Sequence, residues 1–195
     1  MSRAREFDET KVIDKALQVF WQQGYEGTSL NDLLDATGLT KSSLYAAFGS
    51  KEDLFHRIVE RYLSKHVEFR QACALAEPTP RRIIERLLYG MADLHAGSRT
   101  PPGCLITGAA LACSPEAESI RQELVRSRNE FSQVLRGRLE AVTNAGPLPP
   151  GMTAADAARL VVLTIQGLAV EAKGGATRNE LRRIVQTFLL SWPEN

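Results

Sequence analysis

Residues 28–55, TSLNDLLDATGLTKSSLYAAFGSKEDLF, hold the pattern from which the architecture of this chain can be inferred. Leucines at helical spacing predict a first short helix, and Gly38 supplies the permissive backbone that a tight turn between helices requires. Leu44 and Phe48 then return to the same core from a second helix, whose other face is small and polar. The pattern predicts a helix-turn-helix, a motif that places its second helix in a DNA groove.

The first turn of that second helix carries the side chains that we expect to meet DNA. Thr40 can cap the helix through its hydroxyl, which leaves Lys41, Ser42 and Ser43 where recognition helices meet base edges and phosphates. Tyr45 follows, within reach of a phosphate. The predicted DNA contacts are Thr28, Ser29, Thr40, Lys41, Ser42, Ser43, Tyr45 and Lys51, with Thr28, Thr40 and Lys51 on phosphates. The alternative is a helical hairpin whose polar side chains form only a solvated face.

The first third of the chain resembles the TetR family of bacterial transcriptional repressors. The resemblance is carried by short segments, which are ALQVF at 16–20, GY at 24–25, TSL at 28–30, LYAAF at 44–48 and SKEDL at 50–54. Many members carry His at one or both positions between the Tyr and the Phe of the recognition helix, where this chain has Ala46 and Ala47. A polar contact is therefore lost, whereas Ala46 gains the option of touching a thymine methyl group.

This resemblance implies an all-α fold with two domains. The expected N-terminal unit is a three-helix helix-turn-helix DNA-binding domain at residues 6–66, and residues 67–195 form an effector-binding and dimerisation domain. The implied assembly is a homodimer on double-stranded DNA. A two-fold dimer sets its recognition helices roughly one DNA turn, about 34 Å, apart, so the operator is expected to be near-palindromic.

Helix starts are marked along the rest of the chain, and together they predict about nine helices. Capping-box patterns at Ser50, Thr153 and Thr177 predict three helix N-termini, and Ser114-Pro115 predicts a capped start for one long helix. The helix after Thr153 is small and apolar along most of its length, so it needs cover on more than one side. With the last helix it predicts a four-helix interface between two subunits; an intramolecular core is the alternative.

The resemblance also implies a mostly apolar ligand cavity in the second domain. Ligand binding there moves the fourth helix and separates the two DNA-binding domains of the dimer. A small-molecule effector of unknown identity is therefore the expected partner besides DNA. Its candidate contacts are Met91, His95, Cys104, Thr107, Arg128, Phe131 and Gln166. The alternative is that each of these residues is ordinary core or surface of a helical bundle, since Met and Phe at helical spacing are its usual filling.

Cys104 is singled out because it follows Pro101-Pro102-Gly103 at the expected first turn of a helix. Unpaired N–H groups and the helix dipole favour a thiolate there, which would react with electrophiles or oxidants. Gly-Cys-Leu at this place resembles a branch of the family that includes sensors of reactive electrophiles. Lys173, if it faces the cavity, would favour the thiolate further. A buried thiol acting as a small apolar residue is the alternative.

Composition limits the other function classes. The formal net charge of the 195 residues is only +1, so DNA binding must rely on local clusters of basic groups. Three cysteines, an odd number without metal-ligand spacing, predict neither a disulfide framework nor a zinc site, and no cofactor is expected. No stretch has the apolar length of a membrane span, which predicts a cytoplasmic protein. No phosphate loop or nucleophile elbow suggests an enzyme; an effector-independent architectural DNA-binding protein and a helical thiol enzyme are the alternatives to a repressor.

Overall fold

The computed structural model describes residues 7–111 and 113–193, and all regular structure in these ranges is helical. Nine α-helices run through the described residues: α1 Glu9–Gly27, α2 Leu30–Thr37, α3 Lys41–Phe48, α4 in three consecutive segments (Lys51–Tyr62, Leu63–Val67 and Glu68–Leu75), α5 Pro80–His95, α6 Leu105–Leu111, α7 Glu118–Ala141, α8 Ala154–Lys173 and α9 Arg178–Leu189. The predicted all-α fold of about nine helices is confirmed.

Side-chain caps fix several of these helix starts. The capping boxes predicted at Ser50, Thr153 and Thr177 are all present, and a further box formed by Ser29 with Asp32 begins α2. In each box the hydroxyl of the cap residue accepts a hydrogen bond from the backbone N–H of the third helical residue. The carboxylate of that third residue accepts a hydrogen bond from the backbone N–H of the cap residue. A cap of this kind stabilises a helix by about 1 kcal/mol, so local sequence places these boundaries.

The start of α7 differs from its prediction. Ser114 forms no side-chain cap hydrogen bond, and Pro115–Ala117 forms a 3₁₀ turn before the α-helix begins at Glu118. The Ser114 amide donates instead to the Glu26 carboxylate over 2.9 Å. A tertiary contact with the end of α1 therefore takes the place of the predicted local cap.

The helix α4 leads from the first three helices into the rest of the molecule without a break. Its middle segment, Leu63–Val67, is π-helical, whereas the segments on either side are α-helical. A π turn shifts the register of the side chains that follow it and is often found at functional sites. The domain boundary expected between residues 66 and 67 falls inside this π-helical segment.

The buried side chains form one continuous core through both parts of the chain. α1 packs against α2, α4 and α6, while α8 packs against α5 and α7. The helix-turn-helix is thus held directly on the body through α1 and α4. No helix in the described ranges combines the length and the apolar content required to span a bilayer.

Candidate functional site

The helix α3 is anchored on one side and polar on the other. Thr40 caps it as predicted, because the Thr40 hydroxyl accepts the Ser43 amide over 3.2 Å. Leu44 and Phe48 are buried in the core of the helix-turn-helix. Their burial turns the opposite side of the helix toward solvent.

That opposite side is a candidate DNA-binding face made of Lys41, Ser42, Tyr45 and Ala46, which are all exposed. The Lys41 ammonium lies 5.9 Å from the centre of the Tyr45 ring, so the two side chains project together. No ion pair involves Lys41 in the part of the chain that the structure describes, and its charge is therefore free to meet a phosphate. Ser43 beside it is half-buried, with its hydroxyl in contact with Thr40.

Thr28 does not match its expected role as a phosphate contact. Its side chain is completely buried, and its hydroxyl donates to the Gly24 carbonyl over 2.7 Å. The helical backbone breaks at Gly24, where φ is +77°, and the Thr28 hydroxyl satisfies a carbonyl at that break. This is a correction to the expectation for the Thr28 side chain. Ser29, which follows, is exposed at the start of α2.

Lys51 lies at the first residue of α4 and is partly covered. Its ammonium stacks over the Tyr25 ring at 4.6 Å from the ring centre. Burial lowers the pKa of Lys51, whereas the nearby Glu26 and Asp32 carboxylates act to raise it. A phosphate approaching here would meet a cation already positioned by an aromatic ring.

Ion pairs join α1 to α4. The Asp14 carboxylate accepts hydrogen bonds from Arg61 over 2.8 and 3.1 Å and from Lys65 over 2.8 Å. The Arg61 hydrogen bond is the main reason that the pKa of Asp14 falls to about 2. A displacement of α4 would therefore carry α1 and the helix-turn-helix with it.

A second polar cluster joins α4 to α7. His56 Nδ1 contacts the Glu123 carboxylate, and the Ser119 hydroxyl donates to Glu52 Oε1 over 2.5 Å. His56 Nε2 lies 3.7 Å from the same Glu52 oxygen. These four side chains, the α4–α7 bridge, tie the segment of α4 next to the DNA-binding face to the body of the protein.

A cavity of about 70 Å³ lies beyond this bridge, among α4, α5, α6, α7 and α8. Its lining brings together six of the seven predicted effector contacts: Met91, Cys104, Thr107, Arg128, Phe131 and Gln166. The lining also includes Leu63 and Val67 from the π-helical segment of α4, with Tyr62 just before it. Sequence reasoning named none of these three as cavity residues, and for Leu63 and Val67 the reason is that a period of 3.6 residues does not describe a π turn.

His95, the seventh predicted contact, does not line this cavity. It is completely buried, and its Nδ1 lies 3.2 Å from the Gly103 carbonyl. Burial lowers the pKa of His95 to about 4, so at neutral pH the ring is uncharged and donates to that carbonyl. Trp21 Nε1 donates to the same carbonyl over 3.1 Å. His95 therefore holds the turn that precedes Cys104, which corrects its expected role.

Cys104 lies between the cavity and a wider outer pocket of about 470 Å³ formed by α1, α6 and α8. The Tyr62 hydroxyl donates to the Cys104 sulfur over 3.4 Å. Burial raises the pKa of Tyr62 well above its usual range, so this donor keeps its proton. Lys173 lines the outer pocket and donates to the Gln22 carbonyl over 2.6 Å. The cation expected beside the thiol is thus engaged elsewhere.

The outer side of α8 and α9 is apolar and uncovered in the single chain. Leu160, Leu163 and Val170 of α8 are 37%, 63% and 52% exposed, and Ile184 of α9 is 41% exposed. Large apolar side chains grouped on neighbouring helices are typical of a surface that another molecule covers.

No group of three or more potential ligands that could hold a metal ion occurs among the described residues.

Comparison with known proteins places this geometry in context. A family model described as "Bacterial regulatory proteins, tetR family" matches residues 12–58. The HTH-type transcriptional repressor ComR of Escherichia coli (strain K12) is 31% identical over 193 residues, covering 98% of this chain and 92% of ComR. The HTH-type transcriptional regulator YezE of Bacillus subtilis (strain 168) is 49% identical over 63 residues, which are 32% of each chain.

One similar structure was solved with DNA. It is a cysteine-substituted form of the TetR family transcriptional regulator CifR in complex with a 26-base-pair double-strand operator. CifR is 34% identical to this chain, and the TM-score is 0.91 over 98% of this chain and all of that one. The arrangement of nine helices described above is therefore also the arrangement of a protein captured on its operator.

Proposed function

Because this chain belongs to the TetR family of bacterial regulatory proteins, we propose that it is a homodimeric transcriptional repressor that leaves its operator when an effector binds. The observation that carries the proposal is the exposed polar first turn of α3 on a buried base of Leu44 and Phe48. The repressor ComR and the operator complex of CifR support it. The protein would act in the cytoplasm as a regulator rather than as an enzyme.

On DNA, we expect α3 to lie in the major groove. Lys41, Ser42, Ser43 and Tyr45 would meet base edges and phosphates, as recognition helices do near their N-termini. Ser29, Thr40 and Lys51 would contact phosphates on either side. Phosphate contacts by cations release counterions, so binding is expected to weaken steeply as salt concentration rises.

The dimer would form through the apolar face of α8 and α9. Leu160, Leu163 and Val170 repeat along one side of α8, and Ile184 extends that side onto α9. Two copies related by a two-fold axis would cover each other's face and form a four-helix interface. The two α3 helices would then reach successive major grooves, which requires a near-palindromic operator.

Release from DNA would begin at the cavity beside α4. Tyr62, Leu63 and Val67 of α4 line the cavity, so an effector there would press on the helix that leads to the DNA-binding face. The Asp14 ion pairs would carry a displacement of α4 to α1 and the helix-turn-helix, whereas the α4–α7 bridge would oppose that displacement until it breaks. An electrophile that modifies Cys104, which lines the same cavity, would have the same effect.

The test is selection of bound fragments from the genomic DNA of the source organism with the purified full-length protein, followed by electrophoretic mobility shifts. A near-palindrome that is recovered repeatedly and shifted at low protein concentration is the expected result. A protein that is folded and dimeric but enriches no sequence would contradict a specific repressor and favour an architectural role. Binding that no small molecule relieves would favour the effector-independent alternative.

A further inference from the structure

Arg128 brings a positive charge to the cavity with nothing to balance it. It is the one charged side chain of the cavity lining, which contains no Asp or Glu. Its Nε is buried and has no hydrogen-bond partner among the described residues. A buried polar atom without a partner costs free energy, so each such atom in a folded protein calls for an explanation.

Other arginines of the same helix are differently placed. Arg121 pairs with Glu118, Arg136 pairs with Glu140, and Arg138 donates to the Leu75 and Glu77 carbonyls. Arg126, the remaining arginine of α7, is exposed to solvent. Among the α7 arginines of the described structure, Arg128 alone has a buried guanidinium nitrogen without a partner. The buried, unpartnered nitrogen is thus on the α7 arginine that lines the cavity.

The charge of Arg128 also faces a polar groove of about 420 Å³ on the outer side of α7 and α8. Arg128 and Gln166 line both the groove and the cavity, and Arg159 adds a second positive charge to the groove. The groove lining, like that of the cavity, contains no carboxylate. The guanidinium of Arg128 and the amide of Gln166 therefore stand between the polar groove and apolar side chains of the cavity such as Phe131 and Ile165.

We propose that the effector is an amphipathic monocarboxylate, whose carboxylate binds Arg128 and whose apolar body occupies the cavity. A guanidinium matches a carboxylate with two parallel hydrogen bonds, and Gln166 can donate to the same group. The apolar side chains that line the remainder of the cavity suit a short aliphatic body, because the cavity volume of about 70 Å³ is roughly half that of a cavity that holds benzene. This inference rests on the proposed function, since it names the class of molecule that would release DNA.

Binding can be measured by calorimetry on the full-length protein with matched acids and amides. Propanoate and butanoate are expected to bind roughly tenfold more tightly than propanamide and butanamide, because a charge-assisted pair replaces a neutral hydrogen bond. Arg128→Gln should remove this preference, and Arg128→Lys should keep part of it. Arg126→Gln is the matched control, because Arg126 is exposed on the same helix and lies outside the cavity lining.

Circular dichroism of each variant checks that the fold is retained, and the Lys variant keeps the test decisive if the Gln variant unfolds. Equal affinity for acids and amides, an unchanged preference in Arg128→Gln and Arg128→Lys, or no binding of either class would overturn the inference. The proposed function is tested separately by mobility shift without any ligand. A protein that binds its operator but ignores carboxylates would refute the ligand class alone, whereas one that binds no operator would refute the repressor itself.

Discussion

The Tyr62 hydroxyl donates a hydrogen bond to the Cys104 sulfur over 3.4 Å, and this contact joins α4 to the residue that precedes α6. The sulfur lies where a covalent modification would press directly on the helix that leads to the DNA-binding face. Tyr62 and Trp21 pack edge to face, with ring centres 4.8 Å apart, so a group added on the Tyr62 side of the sulfur would displace these rings.

We therefore predict that iodoacetamide releases the wild-type protein from its operator and that Cys104→Ser abolishes this response. The sulfur would displace iodide and form a bond to carbon, with the thiol proton lost to solvent. Cys73→Ser and Cys113→Ser are the matched controls and should respond like wild type. Mobility shifts with and without the reagent, with mass spectrometry of the adduct, measure the effect. Release that persists in Cys104→Ser would move the sensing site elsewhere.

Tyr45→Ala should weaken operator binding about tenfold, the loss expected when a phosphate hydrogen bond and its ring contact disappear. Its side chain is 40% exposed, so the melting temperature should change little. Tyr45→Phe removes the hydroxyl and keeps the ring, so its operator affinity is expected to lie between those of wild type and Tyr45→Ala. An operator affinity for Tyr45→Ala equal to that of wild type would show that α3 docks differently.

Lys41→Ala should weaken binding to all DNA sequences alike and lower the salt dependence of binding, because one phosphate contact per subunit is lost. Lys11→Ala is the matched control: Lys11 is 81% exposed on α1 and is not among the predicted DNA contacts. DNA affinity measured at several salt concentrations gives a slope for each variant, and this slope distinguishes Lys41→Ala from Lys11→Ala. A slope unchanged in Lys41→Ala would argue that this ammonium stays in solvent in the complex.

The features that sequence alone predicted are those set by local chemistry. Thr40 caps α3, and Leu44 and Phe48 are buried, because capping and a 3.6-residue period act within a few residues. The features it did not predict depend on distant partners. His95 was expected in the cavity but forms a hydrogen bond with the Gly103 carbonyl across a turn. The Thr28 hydroxyl donates to the Gly24 carbonyl, where the backbone of α1 breaks.

The cavity shows the same division. Arg128 and Phe131 were named as candidate contacts on the resemblance to the TetR family, and both line the cavity. Leu63 and Val67 also line it, but their direction is set by the π-helical segment. Whether a helix contains a π turn depends on what packs against it, and no local pattern in the sequence reports that.

Leu163→Glu should convert the dimer to a monomer. Leu163 is 63% exposed at the middle of the apolar face of α8, and a carboxylate there would be buried against its copy at a cost of several kcal/mol. Phe69→Glu is the control, because Phe69 is 75% exposed on α4, outside that face. Analytical ultracentrifugation of both variants is the measurement, and operator affinity should fall with dissociation. A Leu163→Glu protein that remains dimeric would show that the subunits meet through another surface.

The burial of His95 makes a prediction about acid stability. Its pKa is lowered by burial from 6.5 to about 4 in the folded state, against a rise contributed by the hydrogen bond to Gly103. Between these two values the unfolded chain binds more protons than the folded one, so acidification favours unfolding. The stabilisation is complete above pH 6.5 and is lost as the pH falls from 6.5 toward 4.

Urea unfolding of wild type and His95→Gln tests this directly. The wild type should lose about 2 kcal/mol more of its free energy of unfolding than the variant does between about pH 7 and about pH 5, because each unit of pKa difference is worth about 1.4 kcal/mol. Gln can still donate to the Gly103 carbonyl but binds no proton. Some dependence on pH should remain in the variant, since burial also lowers the pKa of His66. Identical pH profiles for the two proteins would show that His95 is not the group whose protonation drives unfolding.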